Sequence, residues 1–164
     1  MTLPLFETDR LILRPRSMAD FDACIAMDRD PEVTRFVAGP WQDPPRHEAF
    51  TKTRITTDYG PGLGYWSIFP KASPEIFHGW ILLIPIDAIG PEIEIGWRIP
   101  RISWGQGFAT EAAQVIADHA MNTLRLDRII AEIHPENHAS INVATKIGMI
   151  ETDRTPDAII YARS

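Results

Sequence analysis

The chain has 164 residues, of which 45% are hydrophobic and 23% charged, with a formal net charge of −6. That is about one domain's length with ordinary globular composition, which excludes a disordered tail, a collagen-like rod and a coiled coil. The acidic balance, 16 Lys and Arg against 22 Asp and Glu, argues against nucleic-acid binding, because such affinity comes mainly from neutralising phosphates.

No apolar run approaches the ~20 residues of a membrane helix. Met1-Thr2-Leu3-Pro4 lacks the basic start and apolar run of a signal peptide. The single cysteine, Cys24, cannot form an internal disulfide or build a thiolate zinc site, and the five histidines show no paired ligand spacing. The expectation is one cytoplasmic domain spanning 1–164, with no metal and with neither nucleic acid nor membrane as partner.

The first predicted strand is Leu11-Ile12-Leu13-Arg14, closed by Pro15. Ser17 opens a helix with Asp20 as its capping-box partner, and Phe21, Cys24, Ile25 and Asp28 follow at helical spacing. A second helix starts near Pro45 and runs through Phe50 and Ile55, and Gly60-Pro61-Gly62-Leu63-Gly64 is a loop. Three strands are predicted over 65–69, 76–84 and 92–99. In the last, Ile93, Ile95, Trp97 and Ile99 share one face and Glu94 points to the other.

A long helix is expected over 110–124, since Ala112, Ala113, Ile116, Ala117, Ala120, Met121 and Leu124 form one apolar stripe. A β-branched strand at 129–133 stops at Pro135, and a short helix at 140–147 ends on Gly148. Final strands are expected near 149–152 and 158–162. This order predicts a mixed α/β (α+β) domain rather than a doubly wound nucleotide-binding fold.

Between the alternating strand and the long helix lies Ser103-Trp104-Gly105-Gln106-Gly107-Phe108-Ala109-Thr110-Glu111-Ala112. Small residues at 105, 107 and 109 let backbone amides approach a ligand at a helix start, where the helix dipole favours an anion such as a pyrophosphate. The same residues also suit a tight strand-to-helix turn without a ligand. A Walker loop is excluded, because no Gly-Lys-Ser/Thr occurs, and the dinucleotide fingerprint fits poorly with Thr110 at its third small position.

Glu94-Ile95-Gly96-Trp97 followed by Trp104 to Ala112 resembles the acetyl-CoA-binding motif of the GNAT N-acetyltransferase superfamily. Glu7-Thr8-Asp9-Arg10-Leu11-Ile12-Leu13-Arg14 is similar to the opening of its RimJ/RimL-type branch. Asn137-His138-Ala139-Ser140-Ile141-Asn142 through Lys146-Ile147-Gly148-Met149 resembles a second signature of that branch. The resemblance implies a mostly antiparallel sheet flanked by helices, with central strands that splay apart to bind acetyl-CoA. It further implies acetyl transfer to a primary amine, either an N-terminal α-amine of a peptide or protein or a small amine, by direct attack in a ternary complex. A homodimer is a further expectation.

Carried over by position, the resemblance places the CoA pyrophosphate on the amides of Gly105, Gln106, Gly107, Phe108, Ala109 and Thr110. Trp104 stands where the family usually has Gln or Arg. Asn137 and Asn142 join the CoA-binding residues, Asn137 through the pantetheine amides; Asn137 alternatively makes an Asx turn after Pro135. A strand amide at Trp97 or Ile99 would meet the thioester oxygen. Glu94 is the candidate general base, with Glu92 behind it, and a solvated strand charge is the plainer alternative. Ala144 occupies the position where many members carry a tyrosine acid. Ser140, one turn earlier on the same face, is the candidate acid, or else a helix cap. His134 and His138 flank this turn and are read as structural. Cys24 is expected to pack, and Trp41 and Trp66 are the tryptophans to examine for substrate contact. A catalytically weak acyl-CoA sensor of the same fold is the competing reading.

Overall fold

The computed structural model describes residues 2–164. Its strands are β1 (Phe6–Glu7), β2 (Leu11–Pro15), β3 (Gly64–Pro70), β4 (Trp80–Pro85), β5 (Ile93–Arg98), β6 (Ile129–Ile133), β7 (Ile150–Arg154) and β8 (Ile159–Arg163). The helices are α1 (Phe21–Arg29), α2 (Pro44–Thr56), α3 (Phe108–Asp118) and α4 (His138–Lys146). One eight-stranded sheet runs β1-β2-β3-β4-β5-β6-β8-β7. Every neighbouring pair is antiparallel except β5 and β6.

The two sheet faces carry different cores. Ile81, Leu83, Ile95, Ile99, Ile129 and Ile133 point towards the face covered by α3 and α4. There the alanines Ala112, Ala113 and Ala117 bring α3 close to the strands, and Ile116 is fully buried. Burying a side chain of that size contributes about 1.5–3 kcal/mol. On the other face, Tyr65, Trp80, Leu82 and Ile84 pack under Cys24 and Met27 of α1.

A buried polar network ties the second layer to the central strand. Asp28 of α1 accepts a hydrogen bond from Arg98 Nη1 of β5 (2.8 Å), and its other oxygen lies 3.2 Å from His47 Nε2 of α2. The Arg98 guanidinium sits 4.9 Å from the ring centres of both Trp41 and Trp80. Trp41 in turn donates its indole N–H to the Val37 carbonyl (2.8 Å), so the segment between α1 and α2 is held against β5. A charge pair this far from water is stable only when its hydrogen bonds are made, as they are here.

Several expectations shift at element boundaries. The capping box forms, with Ser17 and Asp20 reciprocally bonded, but the first turn, Met18–Asp20, is 3₁₀ and α1 proper begins at Phe21. The strand expected from Ile76 begins only at Trp80. Ser73 N–H to Pro70 and Ile76 N–H to Ser73 close successive turns around Pro74, and Ile76 is left exposed. The long helix starts earlier, at Phe108, and its regular part ends at Asp118. His119–Thr123 then widens into a π-turn, closed by Leu124 N–H on the His119 carbonyl. The two-residue β1 was not anticipated, being too short to show alternation. Trp66 is fully buried and Trp41 nearly so, which removes both from substrate contact. Cys24 is buried too, and burial pushes its thiol up to about 11, where a thiolate nucleophile is absent at neutral pH. Among the described residues no helix is long and apolar enough to cross a membrane, and no three His, Cys, Asp or Glu side chains cluster as metal ligands.

Candidate active site

The site begins at the sole parallel junction in the sheet. β5 and β6 meet at one register pair, Glu94 with Ile130, and pair no further. The phase of the β4–β5 ladder determines what this leaves open. Ile86 N–H bonds the Glu92 carbonyl (2.8 Å), and opposite residues in an antiparallel ladder alternate between bonded and unbonded pairs. Residues 94, 96 and 98, opposite 84, 82 and 80, are therefore the bonded set facing β4. The backbone groups of Ile95, Trp97 and Ile99 point the other way, into the gap on the β6 side. The Ile99 carbonyl is already taken by the Trp104 indole N–H (2.8 Å). The Trp97 N–H and carbonyl remain as an unpaired strand edge, which an extended amide-bearing ligand can join.

The gap leads to the start of α3. Gly105 and Gly107 both adopt left-handed backbone, φ +76 and +78, which an L side chain takes only with strain. Gly107 is the N-cap of α3, and no side chain caps the helix. Glu111 N–H to the Gly107 carbonyl (3.1 Å) is the first bond of the helix. Among the described residues, the amides from Gly105 to Thr110 have no protein acceptor, and they stand at the positive end of the helix dipole. Phe108 offers its amide but not its side chain, which is buried against the Arg10 guanidinium and His78. The loop is fixed from below by the buried Ser103, whose hydroxyl lies 2.6 Å from His78 Nδ1. The Gln106 side chain folds back to the Ile102 carbonyl (3.4 Å), so that residue too offers its amide.

Ser140 and Glu94 stand on opposite sides of β5. Trp97 points to the α3–α4 side and donates its indole N–H to Ser140 Oγ at 3.2 Å. Asn137, not Ser140, is the N-cap of α4: its Oδ1 accepts from Ser140 N–H at 3.2 Å. One lone pair of the carboxamide oxygen is committed to this cap, and its amide hydrogens are free for a ligand. Asn142 lies on the exposed side of α4, away from the buried stripe of Val143 and Ala144, and is not brought to Ser140. His134 is also structural: its Nδ1 accepts from Glu136 N–H (3.1 Å), and its ring stacks on Phe36 at 5.0 Å.

Glu94 faces the α1–α2 side, next to Gly96, where a Cβ would meet the Leu82 side chain at 3.2 Å. Burial, then the nearby Asp87 carboxylate, raises its carboxyl to about 7, with Arg54 opposing and Glu132 adding to the rise. A carboxylate that titrates near neutrality is suited to taking a proton from an ammonium. Glu92 is exposed and sits within 3.9 Å of Arg128, a weak surface pair. Arg54 and Glu132 were not anticipated as neighbours of Glu94, since each arrives from a distant part of the chain.

A parted pair of parallel strands, a glycine-rich helix start and a half-buried carboxylate beside them define an acyltransferase fold. The family profile described as Acetyltransferase (GNAT) domain matches residues 10–150, and the chain belongs to that family. The uncharacterized N-acetyltransferase p20 of Bacillus licheniformis is 31% identical over 141 residues, covering 85% of this chain and 79% of that protein. Among solved structures, the acetyltransferase from Agrobacterium tumefaciens str. C58 matches with a TM-score of 0.84 at 30% identity, covering 100% of this chain and 96% of that one. The spermidine N-acetyltransferase from Vibrio cholerae, solved in complex with CoA and spermine, shares the fold at a TM-score of 0.73 and 16% identity, with 94% of each chain covered. The protein is an acyltransferase enzyme.

Proposed function

We propose that the protein transfers the acetyl group of acetyl-CoA to a primary amine by direct attack in a ternary complex. The observation that carries this reading is the single register pair between β5 and β6, which leaves the Trp97 backbone open beside the amides of Gly105 to Thr110. A diphosphate suits those amides and a pantetheine arm suits that strand edge, so the residues present fit acetyl-CoA as a substrate. CoA bound by a protein of the same fold supports the assignment.

In this reading Glu94 takes a proton from the acceptor ammonium, directly or through one water, and frees the lone pair that attacks the thioester carbonyl. The Trp97 or Ile99 amide, pointing into the gap, stabilises the charge that develops on the thioester oxygen. The new C–N bond forms and the C–S bond breaks; the departing sulfur receives a proton from the Ser140 hydroxyl or a water that it orders, and that oxygen regains one from the attacking nitrogen, which leaves a neutral amide and the free thiol. The raised Glu94 carboxyl favours turnover over a purely sensing role, because a sensor has no use for a base poised near neutrality.

Resemblance to RimJ/RimL-type enzymes supports an N-terminal α-amine of a peptide or protein as acceptor, and the spermidine enzyme of the same fold supports a small amine. The test is thiol release from acetyl-CoA against a panel of N-terminal peptides and small amines. Turnover with a member of the panel is the expected result. Failure of acetyl-CoA both to raise the melting temperature and to release CoA with every amine overturns the reading.

A further inference from the structure

Trp104 occupies the place where the family's loop usually carries a cationic or amide side chain, and its indole N–H is committed to the Ile99 carbonyl. A cation nonetheless stands on this loop. Arg10, in the β1–β2 turn, donates Nη1 to the Gln106 carbonyl at 2.8 Å and Nε to Glu111 Oε1 at 2.7 Å. Its guanidinium carbon lies 4.8 Å from the centre of the Phe108 ring, and a Cβ built on Gly107 would lie 3.4 Å from its Nη2. Nη2 has no hydrogen-bond acceptor among the described residues, and the side chain is 49% exposed.

We propose that Arg10 is a positioning residue for the diphosphate of the acyl donor and supplies the cation that Trp104 does not. The proposal rests on the acetyl-CoA reading and adds to it a residue from a different part of the chain. Three effects combine. Nη1 fixes the Gln106 carbonyl towards Arg10, so that the peptide between Gln106 and Gly107 is oriented before the ligand arrives. The ion pair neutralises Glu111, a carboxylate in the first turn of α3 that would otherwise repel an anion at the helix start. Nη2 is left beside Gly107, free to donate to a phosphate oxygen. The second Glu111 oxygen anchors this arrangement by accepting from Arg10 N–H (2.9 Å) and Thr8 Oγ1 (2.5 Å).

The experiment compares two acyl donors: acetyl-CoA, and S-acetylpantetheine, which has the same thioester and arm but no diphosphate. In Arg10→Gln, kcat/KM with acetyl-CoA is expected to fall about tenfold through KM, the size of one charge-assisted contact, while kcat/KM with S-acetylpantetheine is unchanged. Arg10→Lys keeps the charge but cannot serve Gln106 and Glu111 together. It should lose roughly threefold with acetyl-CoA alone, and it provides the measurement if the glutamine variant does not fold. Equal losses with both donors would mean that Arg10 merely supports the fold, and no loss with acetyl-CoA would remove it from the site; either result overturns the proposal. Wild-type protein that shows no CoA binding by calorimetry overturns the acetyl-CoA reading instead, which keeps the two failures distinct.

Discussion

The indole N–H of Trp97 donates to the Ser140 hydroxyl across the opening between β5 and α4, at 3.2 Å. A hydroxyl that accepts this bond has its remaining lone pair and its proton left to direct elsewhere. The contact therefore orients the Ser140 O–H as well as tying the strand to the first turn of α4.

If Ser140 protonates the leaving sulfur, Ser140→Ala lowers kcat about tenfold or more and leaves the KM for acetyl-CoA nearly unchanged. Trp97→Phe keeps most of the packing and removes the donor, so it should produce a smaller loss in kcat. In the Ser140→Ala background, Trp97→Phe is expected to have no further effect, because the residue it acts through is gone. Steady-state kinetics on the four proteins of this cycle check the coupling, and additive losses refute it.

Glu94 carries a prediction about activity and pH. With its carboxyl raised to about 7, kcat/KM should climb with pH through a midpoint near that value. Glu94→Gln should abolish this limb and reduce the rate by roughly a hundredfold. A pH–rate profile that keeps the same limb in the variant shows that another group is the base.

The same carboxyl predicts how stability varies with pH. Its folded pKa is raised above the ordinary carboxylate value of 4.5, so the native state holds the proton more tightly than the unfolded chain. The burial of Glu94 then costs nothing below that value, and its cost grows as pH rises through the window up to about 7. Glu94→Gln should match the wild type near pH 5 and exceed it near pH 8 by on the order of 2 kcal/mol, allowing for partial exposure. Denaturant melts at the two pH values measure this, and a difference of the same size at both refutes the assignment.

Gly107 combines a left-handed backbone with the N-cap position of α3. Gly107→Ala should cost about 1–2 kcal/mol in stability through backbone strain. It should also weaken acetyl-CoA binding, because relief of that strain turns the free amides away from a common centre. Thermal denaturation and calorimetric titration together separate the two effects.

Asp28 binds Arg98 and faces His47 with almost no exposure. Asp28→Ala strands a buried guanidinium and is expected to cost about 3–5 kcal/mol. Asp43→Ala, at an exposed pair with Arg46 of 4.0 Å, serves as the comparison. Its loss should be limited to about 1 kcal/mol, mostly from the α2 cap. Comparable losses in chemical denaturation would show that the network contributes little.

Local chemistry made much of the site legible. Alternation along 93–99 separates Glu94 from Trp97 and Ile99, and the glycines at 105 and 107 announce both the turn and the helix start. The capping pair Ser17 and Asp20 was equally readable. Less readable were features that depend on competition between neighbours. Ile76 has strand propensity, yet Pro74 and the turns around it keep the chain from joining the ladder before Trp80. Leu124 continues the apolar stripe of α3, but the helix widens at His119, whose ring nitrogen lies 3.0 Å from the Gly62 carbonyl. Asn137 read as a ligand or an Asx turn and Ser140 as an acid or a cap, and only the α4 geometry assigns the cap to Asn137.

The amino-acid sequence by itself determined an acidic, cysteine-poor composition, the order of the strands and helices from Leu11 onward, and the glycines of the turn that opens α3. Those properties reside in periodicity, glycine backbone freedom and short-range spacing, which survive in any window of the chain. Tertiary structure alone decided that β5 and β6 part after a single register pair, that Trp97 reaches Ser140, and that Arg10 meets Glu111 across 101 residues of sequence. The pKa of Glu94 belongs to the same class. A carboxylate's proton affinity is set by the desolvation and charges that folding brings around it, and no residue spacing encodes those.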